Sequence, residues 1–142
     1  SKYFSISELT VSETAARRGL KNIPFGKQLE NLKQTAQRMD VIREGLGKPV
    51  IVTSGYRSPE VNAAIGGSRT SAHCHGLAVD FTCPGYGSPL DVAKAILASG
   101  IEFDQLIHEF GAWVHIGFAE PGKPSRKQTL TINKRGTLAG LV

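Results

Sequence analysis

Two short alternating segments constrain this chain more than anything else in it. They are Leu77-Ala78-Val79-Asp80-Phe81 and Trp113-Val114-His115-Ile116-Gly117-Phe118. Successive strand side chains point to opposite faces. Leu77, Val79 and Phe81 therefore share one face, and Gly76, Ala78 and Asp80 the other. In the second segment Val114, Ile116 and Phe118 oppose Trp113, His115 and Gly117. Each segment thus has an apolar face that needs a core, and a second face where one polar side chain sits among small residues. Such segments belong in a sheet with one buried face and one face opening on a cleft.

Asp80 and His115 have a natural companion in His73, in the loop Ser71-Ala72-His73-Cys74-His75-Gly76. Two imidazoles and a carboxylate form a three-ligand set for zinc and leave a fourth tetrahedral position open, which separates a hydrolytic site from a structural one. His75 and His108 are rival ligands. His75 follows His73 by two and reaches the same metal only if the loop curls. His108 falls on the strand face opposite Glu109, where a surface or supporting role suits it. Cys74 and Cys83 fit no Cys-x-x-Cys zinc or redox pattern and read as free thiols.

Elsewhere, Ser5 to Glu8 has capping-box spacing, and Ser12 to Arg18 is closed by Gly19, so short helical pieces are expected at the start. Leu29, Leu32, Ala36, Met39, Ile42 and Leu46 recur at steps of three and four, which predicts an amphipathic helix over 27–45 with Met39 in the core. Pro49 to Ser54 predicts a buried strand, and Gly55 to Thr70 reads as mostly loop. Ser88-Pro89-Leu90-Asp91 opens a helix that Gly100 stops. Asp104 to Glu109 and Trp113 to Phe118 predict two strands around Gly111, residues 121–126 a turn-rich connector, and Gln128 to Asn133 an edge strand. With no repeat or linker, residues 1–142 read as a single α+β domain, a mostly antiparallel sheet with helices packed on one face.

The chain has 142 residues and a net charge of +5. That length suits one core, and the charge favours anionic surroundings. Its Lys and Arg are scattered with few aromatics between them, so a nucleic-acid partner is not expected. No apolar run approaches the roughly 18 residues of a membrane span. Ser1 to Ser5 lacks a basic segment leading into an apolar core, so no signal peptide is read there. A monomer is expected.

Ser54-Gly55-Tyr56-Arg57-Ser58, then Asn62 and Gly66-Gly67, then Ser71-x-His73-x-x-Gly76-x-Ala78-x-Asp80, and Trp113-Val114-His115 together resemble the M15 zinc peptidases. These are D-alanyl-D-alanine carboxypeptidases, dipeptidases and phage L-alanyl-D-glutamate endolysins that act on bacterial peptidoglycan. The resemblance runs over roughly residues 4 to 118. It implies a hedgehog/D-Ala-D-Ala peptidase-like fold, Zn²⁺ held by His73, Asp80 and His115, and a peptidoglycan substrate. It also implies that Arg57 binds substrate and stabilises charge on the scissile carbonyl, a task suited to a permanently charged guanidinium with fixed donors. The implied activity is peptide-bond hydrolysis at the cell wall, of the D-Ala-D-Ala carboxypeptidase or L-Ala-D-Glu endopeptidase type. Small size and basic charge suit a phage lysis or virion-associated enzyme, with a bacterial carboxypeptidase as the alternative.

Around those motifs, Ser71 is expected to bond substrate or to hold the His73 loop, Trp113 to line a substrate pocket, and Asn62, Gly66 and Gly67 to shape the cleft wall. At the catalytic base the chain departs from the better-known branches. Those carry an acid three positions before the last ligand, or a histidine two before it, where this sequence has Ala112 and Trp113. The nearest acid is Glu109. If hairpin pairing turns Glu109 and His115 to one cleft, Glu109 could take the attacking water's proton and return it to the leaving amine. The missing near-ligand acid also keeps open a non-catalytic, zinc-containing peptidoglycan-binding module, since hedgehog signalling domains resemble this family in fold and a fold does not guarantee activity.

Overall fold

The computed structural model describes all residues from Ser1 to Val142. Six strands form one sheet: β1 (Ile51–Ser54), β2 (Ala78–Thr82), β3 (Gln105–Glu109), β4 (Trp113–Gly117), β5 (Gln128–Asn133) and β6 (Gly136–Ala139). Their order across the sheet is β1-β2-β4-β3-β5-β6. Every pairing is antiparallel except β3 with β5, which is parallel. Helices α1 (Glu13–Arg18), α2 (Lys27–Leu46), α3 (Pro59–Ala64) and α4 (Pro89–Ser99) complete the α+β domain, with 3₁₀ turns at Glu8–Thr10 and Ala72–His75.

The predicted alternation sets the layers. Val79, Phe81, Leu106, Val114, Ile116 and Phe118 face a core shared with Leu32, Ala36, Met39, Ile42 and Leu46 of α2 and Val92, Ala93 and Ile96 of α4. Burial of the Val, Leu, Ile, Phe and Met side chains among them contributes roughly 1.5–3 kcal/mol each relative to exposure. Leu77 departs from the expected pattern. It precedes the first paired residue of β2, so strand parity does not reach it, and it lines the cleft on the other face.

Local signals explain the helix ends. Ser12 accepts from Ala15 N–H at the start of α1, and Gly19 closes it in the left-handed region. Gly47 ends α2 in the same way. Ser88 and Asp91 complete a capping box on α4, with Pro89 in the first turn. Ser58-Pro59-Glu60 is an equally good start signal, and the expected loop over 55–70 contains α3, capped by Ser58 accepting from Val61 N–H.

Two strand expectations need correction. β1 is a sheet edge rather than a buried strand: it pairs only with β2, and Ile51 is 52% exposed. A β-branched run reads the same in either place, because its sequence does not reveal how many neighbours the strand has. β5, expected at the edge, is covered by β6 across the turn before Gly136. The short polar segment forming β6 has no hydrophobic alternation to announce it, and all its residues are exposed.

Candidate metal centre and cleft

The register of β2 against β4 sets Asp80 directly across from His115. Asp80 Oδ1 lies 2.8 Å from His115 Nδ1 and 3.2 Å from His73 Nε2. The three candidate ligand atoms all fall within 4.8 Å of one another. The two imidazoles meet edge to face, with ring centroids 5.1 Å apart.

His73 is delivered by the 3₁₀ turn Ala72–His75, which is wedged against α2. Thr35 donates its hydroxyl to Gly76 O at 2.7 Å, and Asn31 donates from Nδ2 to His75 O at 3.0 Å. Gly76 ends the turn with φ of 73°, and a Cβ there would strike the backbone of Gln28 in α2. Gly55 is similarly closed in by the Leu9 backbone. These contacts explain the two glycines of the motif: each lets backbone approach backbone behind the His73 ring.

The donor set fits a metal cation. His73 Nδ1 can only donate to the Gly55 carbonyl, 2.7 Å away, so a neutral ring turns the lone pair of Nε2 toward Asp80. Burial lowers the His73 pKa, against the opposing pull of Asp80, and so favours that neutral ring. Burial would raise the Asp80 pKa, but the hydrogen bond from His115 and the electrostatic pull of the two adjacent imidazoles hold it well below the usual carboxylate range. A lone pair facing a carboxylate oxygen at 3.2 Å calls for a cation between them. These side chains offer nitrogen and oxygen donors of the kind that bind zinc.

The centre lies on the floor of a cleft of about 1000 Å³. Arg57 reaches it from the loop after β1: its backbone N–H donates to His73 O at 3.1 Å, and Nη2 donates to Ser71 Oγ at 3.3 Å. Ser71 Oγ also accepts from His73 N–H at 3.3 Å, so this hydroxyl ties the guanidinium to the ligand loop. Arg57 Nε is buried without a partner, and the residue lines the cleft together with the His73–Asp80–His115 cluster. Asn62 lies in α3 rather than in a loop, and donates from Nδ2 to Ser68 O at 2.8 Å. It thereby fixes the turn that carries Ser68 and Thr70 into the cleft wall.

Glu109 pairs with Trp113, and Ile107 with His115, so Glu109, Trp113 and His115 share the cleft face. Burial raises the Glu109 carboxyl above its ordinary value, reinforced by the Asp80 charge and opposed by His115 and Arg57. His75 is exposed at the cleft wall and outside the ligand cluster. His108 faces away, its Nδ1 3.1 Å from the Val142 carbonyl. Cys74 and Cys83 form no disulfide.

Sequence reasoning missed the far wall. Asp104, Gln105, Glu120, Lys123 and Arg126 line the same cleft. Gln105 and Ile107 could have been found from their parity with Glu109. The expected connector over 121–126 gave no such signal. It is folded against the sheet by Arg126, whose Nη2 donates to Asp104 Oδ2 at 2.8 Å and whose backbone N–H donates to Oδ1 at 3.0 Å.

The Peptidase M15 family model matches residues 2–117, most of the chain. The chain belongs to the M15 peptidase family. The matched residues include all three members of the ligand cluster, Arg57 and Glu109. No curated protein matches the chain closely enough to add a relative. Within this M15 peptidase, residues 118–142 lie beyond the matched family region and contribute Glu120, Lys123, Arg126 and Ile132 of β5 to the cleft. No helix is long and apolar enough to cross a membrane.

Proposed function

We propose that this M15 peptidase is a zinc enzyme that hydrolyses peptide bonds in the stem peptides of bacterial peptidoglycan, as a phage lysis or virion-associated wall hydrolase. The observation that carries the proposal is the convergence of the His73–Asp80–His115 cluster, the Arg57 guanidinium and the half-buried Glu109 on one cleft. The net charge of +5 suits a polymer rich in carboxylates and phosphates.

Zinc bound by His73 Nε2, Asp80 Oδ1 and His115 Nδ1 would supply a Lewis acid for the scissile carbonyl and acidify the attacking water. The Gly55 carbonyl fixes the His73 ring, and direct strand pairing fixes Asp80 against His115, so the ligands are set before substrate arrives. Arg57 holds a substrate carboxylate or the oxyanion that develops on the carbonyl, with Ser71 anchoring its other edge. Glu109 takes a proton from the water and passes it to the leaving amine. Its raised pKa brings it closer to neutrality, where a carboxylate works better as both base and acid. Trp113 lines the substrate's path beside Glu109.

Digestion of purified peptidoglycan with and without a chelator, followed by mass spectrometry of the released fragments, tests this. Chelator-sensitive release of fragments with new peptide termini is expected, and their masses identify the bond. Binding to peptidoglycan with no chelator-sensitive release would establish the non-catalytic module instead, the reading favoured by Ala112 and Trp113 where other branches carry their base.

A further inference from the structure

The turn between β3 and β4 holds a bulky aromatic in a conformation that disfavours it. Ala112 N–H donates to Glu109 O at 2.9 Å, so Phe110 and Gly111 are the central pair of a tight turn. Both have positive φ, 54° and 63°. Asn, Asp and Gly ordinarily fill such a pair because a Cβ is crowded there. Only one other non-glycine residue in the chain has positive φ. Phe110 is nonetheless 52% exposed, so burial offsets only part of the strain.

The Phe110 ring lies 5.6 Å from that of Trp113, tilted by 45°. Trp113 in turn lines the cleft with the His73–Asp80–His115 cluster. On its outer side Phe110 shares a shallow depression with Asn133, Lys134 and Arg135 of the β5–β6 turn, and Phe110 N–H donates to Ile132 O at 2.7 Å. An aromatic step therefore leads from the cleft mouth to two cations. Strain held at a half-exposed aromatic, whose side chain meets only one tilted ring inside the protein, points to a ligand outside it.

We propose that Phe110 and Trp113 form a stacking platform for a sugar ring of the wall polymer, holding the glycan strand while its peptide branch enters the cleft. A pyranose presents a face of C–H groups that packs on an aromatic ring. Lys134 and Arg135 lie where acidic substituents of the same polymer would pass. This inference rests on the peptidoglycan reading above and adds the glycan to it.

Trp113 is the only tryptophan, so its fluorescence reports on the platform directly. The full chain is titrated with a β-1,4-linked N-acetylglucosamine oligomer, which carries no peptide, and pelleted with purified peptidoglycan. In parallel, hydrolysis of a synthetic glycan-free stem peptide is followed. For Phe110→Asn we expect saccharide and wall affinity to fall about fivefold, the loss of one aromatic stacking partner. Peptide hydrolysis should be unchanged, and Tm should hold or rise by about 3 °C as the turn relaxes. Phe110→Tyr keeps the ring and should bind like the parent. Parent-like saccharide binding by Phe110→Asn overturns the platform, as does an equal loss on the glycan-free peptide. So does a fall in Tm that accounts for the loss. A parent chain that cuts peptidoglycan but gives no fluorescence response to the saccharide sinks the platform alone. One that neither binds nor cuts peptidoglycan sinks the functional proposal as well.

Discussion

His73 donates its Nδ1 proton to the Gly55 carbonyl at 2.7 Å, and that bond decides which nitrogen remains for a metal. The tautomer was not legible in the sequence, although His73 was legible as a candidate ligand: Gly55 lies far from His73 along the chain and meets it only through the fold. Arg57 and Glu109 were legible as candidates, and parity across the hairpin places Glu109 on the cleft face with His115, as expected. The Arg57→Lys variant keeps the charge but loses the flat array of donors that reaches Ser71 while leaving others free. A large loss of turnover with zinc content and folding intact is expected, and parent-like kinetics would reduce Arg57 to a structural role. Glu109→Gln should retain zinc and lose roughly 10²–10⁴-fold in rate. It should also change stability in a pH-dependent way. Because folding raises the Glu109 pKa, its favourable contribution is present below the unfolded value and lost as pH rises through the folded one. Melts of the metal-free chain should therefore show Glu109→Gln gaining on the parent from acid toward neutral pH. A constant difference would mean that Glu109 is not buried as described.

Secondary elements were legible where periodicity or caps announced them. The helix expected over 27–45 appears as Lys27–Leu46, and both central strands lie within a residue of their predicted bounds. α3 was overlooked because six residues give no hydrophobic period, although Ser58-Pro59 marked its start. The segment from Phe118 to β5 was illegible as part of the site because it is placed by one long-range pair rather than by a pattern. Asp104 accepts from the backbone N–H, Nε and Nη2 of Arg126, and the Asp104 carbonyl accepts from Gln128 N–H. The side-chain hydrogen bonds from Arg126 are the main cause of the lowered Asp104 pKa, with burial working against them. The resulting stability is present above the unfolded Asp value and lost as pH falls through the folded one. Because the Arg126 side chain is 60% exposed, Asp104→Asn should cost only about 1 kcal/mol at neutral pH, with the difference from the parent vanishing in acid. Thermal melts at pH 7 and below pH 3 would show this, and an equal cost at both would contradict it.

At the scale of the molecule, one sheet does two jobs. Its inner face closes a core on α2 and α4, while its outer face carries Asp80, Glu109 and His115 into the cleft. The α+β class and the two-faced sheet followed from alternation in two short segments, and the family match accounts for residues 2–117. What alternation could not supply is the order β1-β2-β4-β3-β5-β6, which depends on how the crossing connections run. If the positive net charge serves wall binding, pelleting with peptidoglycan should weaken as ionic strength rises from 50 to 500 mM, while kcat on a short uncharged peptide changes little (an order-of-magnitude salt range around the usual screening lengths). Salt-independent pelleting would remove charge from the explanation. The central claim is that His73, Asp80 and His115 hold the catalytic metal, and elemental analysis of the purified parent and His115→Ala tests it most directly. About one zinc per chain is expected in the parent, with loss of both zinc and peptidase activity in His115→Ala. A folded His115→Ala protein that still holds one zinc per chain and cuts at the parent rate would contradict it.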